Sequence, residues 1–299
     1  MTIAAPMAEA AEAAAQRTAA RAGVRIQVLS ELAELESMSQ LFDTIWTPDR
    51  DSTSQLRPDL MRALTKAGNY ASGAYDVATG QLIGACLGFF GPPAEATLHS
   101  HVAGVLPAGR GRAVGLALKV HQRAWCLSQG VTAMHWTFDP LIRRNAYFNL
   151  VKLGARPIEY LPNFYGEMND SINGATETDR MLVHWDLRSD LVVAACDGHL
   201  APASGPAEQG RGAAVVLDMG PGGEPVPSPL GIAGPGPDGV ALVRVPADIE
   251  AMRGRDPALA AHWRGALRAA LAPLMDNGAR VTGFDRDGWY VVSTGSAER

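Results

Sequence analysis

A short basic turn in the middle of the chain has the composition of a phosphate-binding site. It runs from Ala108 to Ala113 as AGRGRA, between an apolar segment at 99–106 and an amphipathic segment that ends at Gly130. Pro107 removes a backbone donor and ends the first segment, which is typical of a strand, whereas the second has helical apolar spacing. The sequence therefore predicts a strand, a tight turn and a helix that opens inside the turn.

Such a turn suits an anion for three physical reasons. The first N–H groups of a helix have no internal partner and lie at the positive end of the helix dipole. Glycine lets a bulky anion approach the backbone closely. Arg110 and Arg112 add two permanent charges that can pair with phosphate oxygens. The alternative interpretation, a solvated basic turn with no ligand, stays open on these residues alone.

Two common phosphate-binding patterns do not fit the turn. No G-x-x-x-x-G-K-[ST] sequence occurs anywhere in the chain, which excludes a Walker A loop. Gly109, Gly111 and Gly115 miss the G-x-G-x-x-G spacing of a dinucleotide-binding fold by one residue, and the turn does not belong to a first βαβ unit.

A pair of histidines lies on the strand predicted before the turn. His99 and His101 are two residues apart and share one face, which Ala103 and Val105 continue if no bulge interrupts the alternation. Imidazole titrates near neutral pH and suits a base that deprotonates an amine. Both histidines are therefore candidate catalytic residues, with a hydrogen-bonded core position as the open alternative for each.

The turn resembles the pyrophosphate loop of the GNAT superfamily of N-acyltransferases. The short pattern [QR]-x-x-G-x-[GA] is met by residues 112–117, RAVGLA. The longer pattern V-x-P-x-x-R-G-x-G-x-G is matched at Val105, Pro107, Arg110, Gly111 and Gly115. Ala113 stands where the family usually has glycine. The resemblance extends over about residues 24–187, through the apolar strand VTAMHWTF and the K-L-G-A turn, and is closest to one subgroup of predicted acetyltransferases with a C-terminal extension.

The resemblance and the order of the predicted elements imply an α/β (α+β) fold. A mixed, mostly antiparallel sheet flanked by helices is expected in the order β-α-α-β-β-β-α-β-α-β, followed by a small C-terminal β-α-β-β unit. The predicted divisions are a flexible tail at 1–23, the acyltransferase domain at 24–190, a Gly/Pro-rich linker at 191–239 and the extension at 240–299. The extension is expected to pack either on the core of the same chain or on a second copy of the chain. The second arrangement would form a homodimer.

The resemblance also implies a cofactor and its contacts. The expected donor is acetyl-CoA, or another acyl-CoA such as succinyl-CoA. The residues implied in binding it are Val105, Arg110, Gly111, Arg112, Ala113, Val114, Gly115, Asn145 and Phe148. A backbone N–H near Val105 would polarise the thioester carbonyl. His99 stands at about the position of a glutamate that the family often carries, whereas the tyrosine that serves the family as an acid is replaced by Leu150, with Tyr147 three residues earlier.

The predicted reaction is transfer of an acyl group to a primary amine of a small molecule by direct attack. Acylation of amino acids with succinate is an alternative, in which Arg143 or Arg144 would bind the succinyl carboxylate. A non-catalytic CoA-binding or regulatory protein is a second alternative, and an NAD-dependent oxidoreductase is a remote third. Candidate acceptor-side residues are Trp46, Asp49 and Arg50. The loop Asn163–Gly166 with the acidic Glu167 and Asp170 is a further candidate, and a β-arm that packs on its neighbour is the open alternative for this segment.

The composition of the chain excludes several classes of binding partner. The net charge of −5 provides no basic field for nucleic acid, and the apolar runs are too short for a membrane span. The N-terminus lacks the apolar region of a signal peptide, and Cys86, Cys126 and Cys196 form no metal-binding or paired motif. The sequence thus predicts a cytoplasmic protein with reduced cysteines, no metal site, and neither nucleic-acid nor membrane partners.

Overall fold

The computed structural model describes residues 4–46, 56–166, 177–228 and 239–295. The chain divides into two compact units, one of residues 1–136 and 186–197 and the other of residues 137–185 and 198–299. Residues 137–185 group with the C-terminal residues in this division, and the predicted domain boundaries stay a prediction. None of the helices in the described ranges is both long and apolar enough to cross a membrane.

The elements follow the predicted chain order. The described helices are α1 Ala4–Ala22, α2 Leu32–Trp46, α3 Pro58–Lys66, α4 Val114–Ser128, α5 Arg143–Tyr147, α6 Asp190–Cys196, α7 Gly205–Gly210, α8 Ile249–Arg255 and α9 Pro257–Asp276. The described strands are β1 Val24–Val28, β2 Tyr70–Asp76, β3 Leu82–Phe90, β4 Thr97–Val105, β5 Ala133–Phe138, β6 Arg156–Leu161, β7 Arg180–Asp186, β8 Ala214–Met219, β9 Pro225–Pro227, β10 Val240–Arg244, β11 Arg280–Phe284 and β12 Trp289–Ser293. The expected β-α-α-β-β-β-α-β-α-β order is confirmed from β1 to β6.

The first unit contains a mixed sheet in the order β1-β2-β3-β4-β5. The pairs β1–β2, β2–β3 and β3–β4 are antiparallel, and β4–β5 is parallel. The parallel pairing joins only residues 97–99 of β4 to residues 133–135 of β5, so the two strands have no shared ladder beyond His99 and His135. The predicted mixed, mostly antiparallel sheet is confirmed.

Helices cover both faces of this sheet. A Cβ placed on Gly84 of β3 would lie 3.1 Å from a methyl carbon of Val114 in α4. A Cβ on Gly104 of β4 would lie 2.7 Å from Ile45 and 2.9 Å from Trp46 in α2. Glycine at 84 and 104 therefore lets α4 and α2 pack closely on opposite faces, where a side chain would push the helix outward.

A β-bulge interrupts β4 and corrects one prediction. Leu87 of β3 pairs with Val102 and Gly88 pairs with Ser100, so His101 is an extra residue without an opposite partner on β3. Before the bulge Ser100 faces α4, whereas after it Val102 packs in the apolar cluster on the α2 face. Ala103 and Val105 consequently do not continue the face of His99, because the extra residue reverses the alternation.

The predicted flexible tail differs most from the structure. Residues 4–22 form the helix α1, which packs against α4 with its small side chains. The buried members of its inner face are Ala11, Ala14, Ala15, Thr18 and Ala22. Alanine has the highest helix propensity, and its small side chain allows close contact between helices.

The second unit contains the hairpin-like pair β6–β7 and a separate five-stranded sheet in the order β11-β12-β10-β8-β9. Trp263, Leu267 and Leu271 form the buried stripe of α9, which begins with Asp256 as its N-cap and Pro257 in its first turn. The Asp256 carboxylate accepts from the N–H of Leu259 at 2.9 Å.

The predicted linker and extension are more ordered than expected. Residues 191–228 contribute α6, α7, β8 and β9, and the Ser189 and Ser204 side chains cap the two helices. β8 pairs in parallel with β10, so the predicted β-α-β-β extension is part of a larger sheet and has an additional helix, α8. The strand-like run at residues 213–217 corresponds to β8, whereas the Gly/Pro-rich composition concealed α6, α7 and β9, because their caps and apolar runs are only a few residues long.

The alanine face of α1 generates a stability prediction. Ala15 is buried and Ala20 is exposed on the same helix. We expect Ala15→Leu to lower the free energy of unfolding by about 1–3 kcal/mol, because the added carbons have no space in the contact. Ala20→Leu is the matched control, with an expected change within about 0.5 kcal/mol. Urea denaturation followed by circular dichroism measures both, and equal effects would contradict this packing.

Candidate functional site

The loop between β4 and α4 presents a row of open backbone donors. A 3₁₀ turn at Pro107–Gly109 is followed by Arg110 in an extended conformation and by positive φ angles at Gly111 (77°) and Ala113 (61°). The N–H groups that donate to no acceptor within the described chain are those of Gly111, Ala113, Val114, Gly115 and Leu116. Alternating left-handed residues and a helix N-terminus are the geometry of a backbone anion site.

Ala113 holds a strained conformation in this loop. It is the N-cap of α4, with φ 61° and ψ 23°, and its carbonyl accepts the N–H of Ala117 at 3.0 Å. Alanine costs about 1–2 kcal/mol in the left-handed region, which glycine enters freely. Alanine at position 113 therefore adopts the left-handed loop conformation and stores strain in it.

The two arginines of the loop have different surroundings. Arg110 is exposed, and within the described chain its guanidinium contacts no protein acceptor. Arg112 donates to the Asp76 carboxylate at 2.5 Å and to the backbone carbonyls of Ala22 and Gly23 at 3.3 and 3.2 Å. The hydrogen bond from Arg112 holds the pKa of Asp76 below its usual value.

The role predicted for Arg112 in binding the cofactor stays a prediction, but its guanidinium already has protein acceptors. Arg112 ties the loop to β2 and to the segment between α1 and β1, and only Arg110 keeps its guanidinium available to a phosphate. The longer family pattern, with arginine at 110 and a left-handed residue at 113, fits this geometry better than the shorter pattern that starts at Arg112. Sequence reasoning missed Asp76, which is the last residue of β2.

The end of β4 presents an open main-chain edge. The N–H of Leu106 donates to the carbonyl of Ile83 at 2.9 Å, which makes these two a hydrogen-bonded antiparallel pair. Because such pairs alternate, the N–H and C=O groups of Ala103 and Val105 point away from β3. They point to the side on which pairing with β5 has already ended. The edge can therefore accept a ligand that carries its own amide groups.

The two candidate histidines lie side by side on β4. The His99 ring stacks on Phe89 with a centroid distance of 5.0 Å, and the His101 ring lies 6.1 Å from the His99 ring. His99 is half-buried and is paired in register with His135 of β5, whereas His101 is exposed at the bulge. The predicted shared face of His99 and His101 is present.

Burial sets the protonation state of this pair. The pKa of His99 is lowered to about 4, mainly by burial and in smaller part by the neighbouring His101, His135 and Lys119. Although His101 is exposed as a whole, its ring lies against the rings of Phe89 and His99, and this partial burial lowers the pKa of His101 as well. Both imidazoles are therefore neutral near pH 7 and have a lone pair with which to accept a proton.

The remaining predicted residues lie in the second unit. Asn145 is in α5, and Phe148 begins the π-helical turn Phe148–Lys152. Leu150 is buried, and the Tyr147 hydroxyl accepts from the Arg286 side chain at 3.1 Å. Asn145 and Phe148 as pantetheine contacts remain a prediction.

Two further predictions concern arginines and acceptor-side residues. Arg144 pairs with Glu250, and Arg143 lies 3.7 Å from Asp287, so both guanidinium groups already have carboxylate partners. Trp46 ends α2 near Gly104. Asp49, Arg50, Glu167 and Asp170 lie outside the described residues. Among the described residues no group of His, Cys, Asp and Glu side chains is arranged to hold a metal ion.

Comparison with known proteins gives structural neighbours only. Neither a protein-family model nor a curated protein sequence matches the chain. An N-acetyltransferase from Staphylococcus aureus is 14% identical with a TM-score of 0.45, covering 55% of this chain and 99% of its own. A GNAT superfamily phosphinothricin acetyltransferase from Sinorhizobium meliloti, solved with acetyl-CoA, is 15% identical with a TM-score of 0.43, covering 54% and 87%. An IAA acetyltransferase from Bacillus cereus is 14% identical with a TM-score of 0.40, covering 55% and 99%.

The strain at Ala113 can be measured directly. We expect Ala113→Gly to leave the free energy of unfolding unchanged or to raise it by up to about 1 kcal/mol, because glycine relieves the left-handed strain. Ala13→Gly, at an exposed position inside α1, is the control and should cost about 1 kcal/mol. Guanidinium denaturation compares them, and an equal loss in both variants would show that Ala113 is not strained.

The protonation of His99 gives a second prediction. Its pKa in the folded chain is about 4 because of burial, below the usual 6.5 for an unfolded histidine. Between these two pKa values the folded state binds fewer protons than the unfolded state. The contribution of neutral His99 to the free energy of unfolding is therefore fully present above pH 6.5 and is lost as the pH falls toward 4. An NMR pH titration, assigned with His99→Gln, should place the His99 midpoint near 4; a midpoint near 6.5 would contradict the burial.

Proposed function

We propose that this chain is an acyl-CoA-dependent N-acyltransferase with acetyl-CoA as its donor. The observation that carries the proposal is the loop of five open N–H groups with the exposed Arg110, placed directly after a strand with a free edge. Backbone donors and a guanidinium suit a pyrophosphate, and a strand edge suits the amide groups of the pantetheine arm. Coenzyme A carries both a pyrophosphate and a pantetheine arm, and it is the cofactor implied by the resemblance of the loop to the GNAT pyrophosphate loop.

The proposed roles follow from the geometry of β4. The outward N–H groups of Ala103 and Val105 are the donors available to a thioester carbonyl, whose oxygen gains negative charge when an amine attacks. The neutral His99 accepts the proton that the amine nitrogen loses as the new C–N bond forms. The C–S bond then breaks and the thiolate leaves. Because Leu150 occupies the family's tyrosine position, we assign no protein acid to the thiolate.

The acetyl donor is favoured over the succinyl donor by the arginines. A succinyl carboxylate would need a guanidinium, and Arg143 and Arg144 are both paired with carboxylates. An acetyl group makes no such demand. The acceptor in this proposal is a primary amine of a small molecule, and His99 and the exposed His101 are the residues of β4 that would face it.

A CoA-binding protein without turnover is the second candidate function. The observation that favours it is the buried Leu150 in place of the tyrosine acid. A binder would hold CoA through the same loop but would release no free thiol from acetyl-CoA in the presence of amines.

The two loop arginines provide a matched test. We expect Arg110→Ala to weaken acetyl-CoA binding about tenfold, or about 1.4 kcal/mol, because a phosphate would lose its guanidinium partner. The melting temperature should not fall, because the Arg110 side chain is exposed and contacts no acceptor in the described chain. Arg112→Ala should lower the melting temperature because it breaks the contact with Asp76, and should weaken binding less. Calorimetric titration with acetyl-CoA, succinyl-CoA and CoA measures affinity, and scanning calorimetry measures stability.

Two outcomes separate the proposal from its alternatives. Absence of binding by the wild type to every CoA species would remove the acyltransferase proposal. Binding without release of free thiol, across a panel of primary amines and amino acids, would support the non-catalytic alternative. A larger affinity loss in Arg112→Ala than in Arg110→Ala would overturn the roles assigned to the two side chains.

A further inference from the structure

Lys119 is a buried lysine that the proposed reaction does not use. It lies in α4, five residues after Val114, and its side chain is 4% exposed. Its Nζ donates to the Ser100 hydroxyl at 2.8 Å and to the Gln122 side-chain oxygen at 3.0 Å. The same nitrogen lies 3.8 Å from the centroid of the Trp136 ring.

The position of these contacts in the sheet is specific. Ser100 is the first residue of β4 after the parallel ladder at 97–99, and Trp136 is the first residue of β5 after the ladder at 133–135. Lys119 therefore contacts each strand one residue beyond the last residue pair of the parallel ladder. It is placed to hold the spacing of the two strands at that point.

Stability alone does not account for a lysine at this site. Removing an ammonium group from water is costly, and hydrogen bonds together with a cation–π contact offset that cost only in part. Apolar replacements of buried charges are often neutral or stabilising when the volume is kept. An unbranched side chain such as methionine would fill the same space, so the charge and its directed contacts need a further explanation.

We propose that Lys119 is a positioning residue that fixes the divergence of β4 and β5. By doing so it sets the open edge at Ala103 and Val105, which under the proposed function receives the pantetheine arm of acyl-CoA. The ammonium acts through the strands and touches neither the cofactor nor the acceptor. The expected effect of Lys119 on acyl-CoA binding rests on the proposed function, whereas its expected effect on the separation of β4 and β5 does not.

The protonation of Lys119 gives the inference a distinctive pH dependence. Burial lowers the pKa of Lys119 to about 8. The titratable groups around it are Cys86 of β3, Cys126 of α4 and His99 of β4. Burial raises the pKa of both thiols and lowers that of His99, so all three are neutral between pH 7 and 9. Loss of the ammonium proton is then the change that removes the cation–π contact in this interval.

The experiment compares the wild type with Lys119→Met, Lys119→Gln and the exposed control Lys66→Met. Acetyl-CoA is the probe because it has no free thiol to titrate. We expect its affinity for the wild type to fall about three- to tenfold between pH 7 and 9. Lys119→Met should bind acetyl-CoA at pH 7 as weakly as the wild type does at pH 9, and its affinity should not change between these pH values. Lys66→Met should show the same affinity and the same pH dependence as the wild type. Lys119→Gln retains a hydrogen-bonding group without the charge, and should also lack the step.

Hydrogen exchange of the backbone provides a readout that needs no ligand. In Lys119→Met the amides of residues 97–106 should exchange faster than in the wild type, and the wild type should approach that rate above pH 8 after correction for the intrinsic rate. Unchanged exchange and unchanged acetyl-CoA affinity in both Lys119 variants would overturn the inference. If the wild type binds no acetyl-CoA, the proposed function fails, and exchange in the variants alone decides whether Lys119 holds the strands. If both variants fail to fold, the wild-type pH step in exchange decides it.

Discussion

The parallel pairing of β4 with β5 ends after three residues, and the rest of the candidate site depends on that short ladder. Backbone N–H and C=O groups in a sheet are normally satisfied by the neighbouring strand. Here those of Ala103 and Val105 turn away from β3 toward a side where β5 no longer pairs. A sheet that were paired to its end would have no main-chain edge to offer a ligand.

Two other features place ligand groups around this edge. The bulge at His101 reverses the alternation of side chains between the two faces of the sheet. His99 and His101 therefore lie on the α2 face, whereas Ala103 and Val105 lie on the α4 face. The left-handed residues Gly111 and Ala113 then turn the chain into α4 with its first N–H groups open. The chemistry proposed for the strand and the charge proposed for the loop thus come from one continuous segment, residues 97–116.

The sequence predicted the frame of this site well, and its misses have physical causes. The strand end predicted from Pro107 and the helix end predicted from Gly130 lie within two residues of the observed ends. Proline and glycine give this accuracy because they affect the backbone conformation directly. The bulge was not predictable, since it depends on the register with β3 and leaves no local signature in His101. The pairing of Arg112 with Asp76 joins residues 36 positions apart, and alternation or composition carries no information about such a contact. The alanine-rich α1 was missed because its packing depends on the small size of its residues, which a hydrophobic pattern underestimates.

The helix α1 has a consequence for how the first unit meets a ligand. α4 packs on the sheet through Val114 and Leu118 and is contacted by α1 as well. A helix held by two neighbours has little freedom to tilt or slide, so its N-terminal donors are pre-organised before any anion arrives. Binding to such a site requires little ordering of the protein and loses little conformational entropy. Association with an anionic ligand should then proceed as a single kinetic step, at a rate set by encounter and ionic strength rather than by rearrangement of the loop.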